Sequence, residues 1–271
     1  MHPITVRAMK FAVPDPGEYD PVYLAGSAAI SYTHTAFGLF VALCEPFFVK
    51  SLRRVVDGIK DDKLREDVDR FARQEAQHYQ RHADFNKTVL AQGYPGIEQR
   101  METLRREFDD WLDRRTDRFR VGYMEGFESY TTQFALQMID SGLYDHRRTH
   151  PSFGELFKWH LLEEIEHRNV AFDVYQHLYG DYLYRARMCW FAQSHMVRFM
   201  NDCARIMSDF DIKRHGERCR IRRRPRVVMS INRARMRAQS MLPGYTPHAY
   251  RLPPSIGELS ALFTQRAESV R

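Results

Sequence analysis

Long stretches of helical periodicity with few helix-breaking residues are the strongest constraint on the fold. From about residue 28 to 212, glycine and proline are sparse and cluster between these stretches. Within them, apolar residues such as Phe37, Val41 and Phe48 recur at helical spacing. No long stretch has the period of two that is typical of strands. The sequence therefore predicts an all-α protein, with helices over about 28–56, 61–93, 97–117, 119–139, 152–180 and 182–207.

Short polar signals predict where several helices begin. Asp61 stands at the start of the second helix, where an acidic residue is favourable. Ser152 with Glu155, and Ser255 with Glu258, have the spacing of a capping box. The two boxes predict helices that open near residue 152 and, for a short tail helix, near residue 255.

A charge-free stretch raises the question of a membrane span. Residues 21–44 contain no Asp, Glu, Lys or Arg. Polar residues nevertheless make this stretch a poor hydrocarbon segment: Ser27, Ser31, Thr33, His34 and Thr35. We expect a buried helix of a bundle and no membrane span.

The positive charge of the chain is concentrated in one segment. The formal net charge is +6, but residues 213–237 contain eleven Lys or Arg and a single acid, Glu217. The rest of the chain is therefore net negative. The segment contains no aromatic residue on which bases could stack, so we predict no nucleic-acid site. A docking surface for an acidic carrier protein or another anion, and a salt-bridge partner for the acidic body, remain open alternatives.

Composition and cysteine usage predict an ordinary globular protein of a reducing compartment. Hydrophobic residues make up 44% and charged residues 28%, which excludes a disordered or collagen-like chain. The four cysteines contain no C-x-x-C pair, and the first twenty residues lack the apolar core of a secretory signal. We expect a cytoplasmic protein, and a homodimer is compatible with the sequence. Its predicted parts are an extension (1–24), a helical bundle (25–212) and a basic C-terminal segment packing on the bundle (213–271).

Two Glu-x-x-His motifs carry the chemistry. Glu75 and His78 lie in the second predicted helix, and Glu164 and His167 in the fifth. Residues three apart on a helix are about 60° apart around its axis, so both side chains of each motif can reach one ion.

Two further glutamates complete a known ligand pattern. Glu45 lies in the preceding helix among apolar residues, where an unpaired carboxylate would be costly. Glu128 lies in the long helix before the second motif. The order Glu, Glu-x-x-His, Glu, Glu-x-x-His is the ligand set of ferritin-like di-iron and di-manganese bundles. We therefore predict two divalent ions, with Fe favoured and Mn or Zn as alternatives, held by Glu45, Glu75, His78, Glu128, Glu164 and His167.

Neighbouring residues leave alternatives at this site. His82 follows His78 by one turn, and His160 precedes Glu164 by one turn. Each is either an additional ligand or a hydrogen-bond partner of one. Glu163 also lies one turn before His167 and competes with Glu164, while Glu125 competes with Glu128.

At these residues the chain resembles the predicted metal-dependent hydrolases of bacteria. The similar segments are CEPFF (44–48), FARQEAQHYQRHADFN (71–86), ESYTT (128–132), WHLLEEIEHRNVAFDVY (159–175) and GYTPHAY (244–250). The resemblance covers about residues 25–250 and implies a ferritin-like four-helix bundle with additional helices. It favours Glu128 over Glu125, and it places His82 and His160 at the site. The chain departs from the family pattern at Ser129, where the family tends to carry histidine, and in the Arg-rich segment 218–237.

The predicted site favours an oxidoreductase. We expect a dinuclear non-haem metal oxygenase or oxidase, with iron favoured, that uses O2 on a small organic or acyl substrate held in the bundle. The alternative is a metal-dependent hydrolase, in which the ions activate water and Glu163 is the general base. A second alternative is ferroxidase activity or metal handling.

Overall fold

The computed structural model describes residues 4–269, and this part of the chain is all-α, as predicted, without a strand. Short 3-10 turns connect some of the helices. The α-helices of the described part are α1 (Ala28–Val55), α2 (Asp62–Leu90), α3 (Ile97–Arg114), α4 (Asp117–Asp140), α5 (Pro151–Glu166), α6 (Val170–Leu178), α7 (Tyr182–His215), α8 (Arg223–Ser240) and α9 (Ser255–Glu268).

The first helix, α1, runs through the centre of the molecule. It packs along α2 and also contacts α3, α4 and α7, while α4 packs against α5, α6 and α7. Aromatic rings fill the space between α1 and α4. The Phe127 ring centroid lies 5.2 Å from that of Phe48 and 5.8 Å from that of Phe40, and all three side chains are buried. The predicted ligands therefore lie on helices that share one core.

The helix α1 is also the one described helix that is long and apolar enough to cross a membrane. The stretch Ala28–Gly58 qualifies by its length and composition alone. Of the apolar window in this stretch, 78% is buried inside the protein. Such burial is typical of a core helix, which is what the polar residues in this stretch predicted.

Close packing of α4 on α7 depends on a glycine. A Cβ atom built on Gly126 would lie 2.8 Å from the Cα of Cys189, which is closer than such atoms approach in proteins. The backbones of the two helices can therefore meet at this point only because residue 126 has no side chain.

The predicted fifth helix over 152–180 was wrong in one respect, because it is two helices. The helix α5 ends at Glu166, and α6 begins at Val170. The buried side chain of Arg168 donates a hydrogen bond to the carbonyl oxygen of Ile165 at 2.7 Å. In a continuous helix that carbonyl would accept from the backbone N–H of Asn169, so Arg168 takes the place of the next helical hydrogen bond.

The three predicted helix starts agree with the structure, but only one of them has the predicted side-chain cap. Asp61 caps α2, since its carboxylate accepts from the Leu64 N–H at 3.0 Å. The two predicted capping boxes are wrong. The helix α5 begins at Pro151, and α9 follows Pro254, without a side-chain cap in either case. In α5, Pro151 lies in the first turn, where proline is favourable because it has no N–H that needs a partner.

The basic segment contains a helix that the sequence did not predict. The helix α7 continues without a break through residue 212 to His215, and α8 follows after a short turn. The helix α8 packs on α4 and α7, and α9 packs on α5. The proposed division of the chain at residues 24 and 212 stays a prediction.

Candidate metal centre

Seven side chains converge in the core, six of them from α1, α2, α4 and α5 and the seventh from His167, which directly follows α5. Two groups of donor atoms form there, and within each group the atoms lie within 4.8 Å of one another. One group is Glu45, His78, His160 and Glu164, and the other is Glu75, Glu128, Glu164 and His167. Glu164 belongs to both groups, so the two groups are adjacent and share a carboxylate. All six predicted ligands are brought together, and His160 joins them.

The carboxylates of this cluster are buried with almost no hydrogen bonds. Glu45, Glu75 and Glu164 are 0% exposed, and Glu128 is 2% exposed. Within the described residues, neither oxygen of Glu45, Glu75 or Glu128 makes a hydrogen bond. A buried, unpaired carboxylate is costly, and native proteins pair such groups or use them to coordinate metal. The donor set therefore fits bound cations.

The imidazole of His167 faces three of these carboxylates. Its Nε2 atom lies 3.4 Å from Glu75 Oε1, 3.4 Å from Glu128 Oε2 and 3.5 Å from Glu164 Oε1. In the described part of the chain, this nitrogen makes no hydrogen bond. Three carboxylates and one imidazole around a common point form a typical site for a divalent ion.

The pKa values of the cluster show how strongly the carboxylates repel one another. Burial and the neighbouring carboxylates raise the pKa of Glu45 and of Glu128 well above the usual range. Burial also raises the pKa of Glu75 to about 8, against an opposing effect of His167. Burial alone would raise the pKa of Glu164, but His167 and His160 lower it well below its usual value. Without cations, therefore, the cluster favours partial protonation.

Hydrogen bonds around His78 leave one nitrogen free for an ion. Nε2–H of His78 donates to Glu163 Oε2 at 3.0 Å. Nδ1 then carries the lone pair, and it lies 3.7 Å from Glu75 Oε1 and 3.9 Å from Glu164 Oε1. A carboxylate that accepts the far N–H of a metal-binding histidine fixes its tautomer and its ring orientation.

The same arrangement recurs at His167, with an amide as the acceptor. Nδ1–H of His167 donates to Gln74 Oε1 at 3.0 Å, so Nε2 is the nitrogen that faces the carboxylates. The Gln74 amide is itself held in this orientation. Its Nε2 donates to Glu166 Oε2 at 3.0 Å and to the Thr5 carbonyl at 3.1 Å.

The structure gives His82 and His160 different positions. His160 Nε2 lies 3.0 Å from Glu164 Oε1 and 3.5 Å from Glu45 Oε1. Its Nδ1 atom contacts His82 Nε2 at 2.6 Å. Burial and the nearby His160 lower the pKa of His82 well below its usual value, so the His82 ring is neutral. His160 therefore faces the cluster, and His82 lies behind it.

Glu163 and Glu125 lie outside both groups of donor atoms. Glu163 Oε1 accepts from Arg7 at 3.0 Å and from Trp159 Nε1 at 2.9 Å, while Oε2 accepts from His78. Glu125 accepts from Arg185 at 3.0 Å and from the Ser129 hydroxyl at 2.8 Å. Glu163 orients a candidate ligand, whereas Glu125 joins a separate buried network.

Arg7 is the supporting residue that the sequence did not reveal. It is 1% exposed, and its guanidinium donates to Glu163, to both oxygens of Glu166, and to the Ser260 hydroxyl at 2.7 Å. These bonds join the N-terminal segment and α9 to the end of α5. No motif marks Arg7, because its carboxylate partners are more than 150 residues away.

The arrangement fits two divalent ions, and Glu164 belongs to both groups of donor atoms. Four carboxylates balance the charge of two divalent cations, and three imidazole nitrogens complete the donor set. Oxygen and nitrogen donors without thiolate suit Fe, Mn or Zn.

The fold and the site define an all-α protein with a buried cluster of carboxylates and histidines that fits a dinuclear metal site. Residues 5–251 match the model of the family described as predicted metal-dependent hydrolase. The chain belongs to this family, as its resemblance had indicated. Searches of curated proteins and of solved structures gave no match.

Proposed function

We propose that this metal-dependent enzyme uses two ions, with iron favoured, to oxidise a small organic or acyl substrate with O2. The observation that carries the proposal is the enclosed cluster of seven donors with Glu164 shared by both groups. Three carboxylates of this cluster have no other hydrogen-bond partner among the described residues.

In this proposal each side chain has a definite place. Glu45, His78 and His160 would hold one ion, Glu75, Glu128 and His167 would hold the other, and Glu164 would contribute to both. When bound, two redox-active ions would pass electrons from the substrate that is oxidised to O2. Gln74, His82 and Glu163 keep the three imidazoles in the tautomer that presents a lone pair to the cluster.

The aromatic surroundings support a reaction from which water is excluded. The Phe37 ring stacks on His160 with centroids 5.6 Å apart, and the Phe71 ring meets His167 edge-on at 4.6 Å. Both phenylalanines are buried. O2 is small and apolar, so it suits an enclosed apolar site. Hydrolysis suits such a site less well, because it needs room for a bulky ester or amide together with water.

The engagement of Glu163 also favours oxidation. The hydrolytic alternative assigns Glu163 as general base, which requires a carboxylate oxygen that can reach water. Both oxygens of Glu163 already accept hydrogen bonds, from Arg7, from Trp159 and from His78. Glu163 is thus better placed to orient His78 than to take a proton from water.

Hydrolysis remains the second candidate because the family is described as predicted metal-dependent hydrolases. The same donors would hold two ions, and bound divalent metals lower the pKa of water toward neutrality. This alternative requires no O2 and is compatible with zinc.

Metal analysis together with O2 consumption tests the proposal. We expect about two ions per chain in the unaltered protein. Glu164→Ala should lose both, Glu45→Ala should lose only one, and the exposed Glu66→Ala should lose none. Protein loaded with iron(II) without oxygen should then consume O2 and show a transient visible absorbance. A colourless zinc protein that hydrolyses esters without O2 would overturn oxidation in favour of hydrolysis. Full metal content in Glu164→Ala would refute the shared carboxylate.

A further inference from the structure

A second feature of the molecule is an apolar cavity of about 330 Å³ between α1, α4 and α8. Its volume is at the lower end of the range for small-molecule sites. Its apolar lining comes mainly from Ile30, Tyr130, Phe134, Met138, Met229 and Met236. None of the candidate metal ligands lines it.

Two aromatic rings in series, Phe134 and Phe37, separate this cavity from the metal cluster. Phe134 lines the cavity, and its ring centroid lies 5.8 Å from that of Phe37. Phe37 in turn stacks on His160, which belongs to the cluster. A molecule in the cavity would therefore lie two ring contacts from a candidate ligand.

Two arginines of α8, one of which lines the cavity, have no acidic partner among the described residues. Arg233 and Arg237 are one helical turn apart on α8, and Arg233 lines the cavity. Arg233 donates to the neutral amide oxygen of Asn201 at 3.2 Å, and the Arg237 guanidinium lies 4.6 Å from the Trp190 ring centroid. Neither forms an ion pair with a carboxylate of residues 4–269.

Such a pair of half-buried guanidinium groups favours an anion. Like charges one turn apart on a helix repel each other, and partial burial strengthens the repulsion. Guanidinium groups bind carboxylates through paired, charge-assisted hydrogen bonds. The cavity thus combines an apolar wall with a cationic edge.

We propose that this cavity binds an amphipathic carboxylate, with its apolar part against Phe134 and Met138 and its anionic head on Arg233. The assignment of this molecule as the substrate of the metal centre rests on the proposed function. Its binding, however, depends only on the cavity and on α8.

Calorimetric titration with decanoate and with the uncharged decanol tests this proposal in both metal-free and metal-loaded protein. We expect decanoate to bind more tightly than decanol. Arg233→Gln should weaken decanoate binding about tenfold and leave decanol unchanged. The matched control is Arg224→Gln, which makes the same charge change at an exposed position of α8 and should leave both unchanged.

A cavity-filling variant tests the apolar part. Met138→Trp should abolish binding of both probes. If this variant does not fold, Gln137→Trp, which changes an exposed residue of the cavity lining, serves for the same test. Equal loss in Arg224→Gln and Arg233→Gln, or no decanoate binding, would overturn the proposal. Binding without O2 consumption would refute only the proposed oxidation, whereas O2 consumption without binding would refute only the cavity assignment.

Discussion

Replacing Arg7 by methionine is the most direct test of how the candidate metal centre is supported. Arg7 is 1% exposed and forms ion pairs with Glu163 at 3.0 Å and with Glu166 at 2.7 Å. Both glutamate side chains in these ion pairs are completely buried. Arg7→Met keeps most of the apolar stem but removes the guanidinium that Glu163 and Glu166 share.

The expected cost is large. Removal of one partner of a buried ion pair typically destabilises a protein by about 3–5 kcal/mol. In a protein of this size, each kcal/mol lowers the melting temperature by roughly 2–4 °C, so we expect a decrease of about 10 °C. Glu163, which holds His78, also loses one of its two other donors and keeps only Trp159, and such losses weaken metal binding by about 10–100-fold.

Thermal unfolding followed by circular dichroism measures the decrease in melting temperature. Titration of metal-free protein with zinc or manganese measures the loss of metal affinity. The control is Arg100→Met, which removes a surface ion pair with Asp202. Surface pairs contribute about 0–1 kcal/mol, so this variant should behave almost like the original protein. If Arg7→Met matches Arg100→Met in melting temperature and in metal affinity, the supporting role of Arg7 is refuted.

Two further predictions follow from single contacts. Gln74→Leu removes the acceptor for His167 Nδ1–H and should weaken the binding of one of the two ions about 10–100-fold in a metal titration, while the other keeps its affinity; equal weakening of both ions would contradict the assignment of His167 to one group. Gly126→Ala should destabilise the protein by about 1–3 kcal/mol in denaturant unfolding, because its Cβ would lie 2.8 Å from the Cys189 Cα. Gly257→Ala, with no atom within 4 Å of the added Cβ, should not destabilise it, and equal losses in the two variants would refute the packing argument.

The sequence was a good guide to the residues that the core brings together. Helical spacing placed Glu75 with His78, and Glu164 with His167, on shared faces, and both motifs lie in the cluster. The expense of burying Glu45 in an apolar helix indicated a partner, and the structure places it beside His160. These inferences depend on local spacing and on burial, which a sequence expresses directly.

The support of the cluster could not be predicted in the same way. Arg7 reaches Glu166 over 159 residues, and Gln74 reaches His167 over 93. The end of α5 depends on a side-chain hydrogen bond from Arg168, which helical periodicity does not express. The basic segment was correctly identified by its charge, but its helix α8 was missed because arginine-rich sequence reads equally well as a solvated tail.

Metal binding and folding must be coupled in this molecule. The cluster concentrates four carboxylates in a core where Glu45, Glu75 and Glu128 find no hydrogen-bond donor among the described residues. Burial and mutual repulsion raise the pKa of Glu45 and of Glu128, so the metal-free fold bears a cost that two divalent ions remove. The ions in turn require the imidazole orientations that Gln74, His82 and Glu163 fix only in the folded chain. Each ion bound to the folded chain therefore adds directly to its stability.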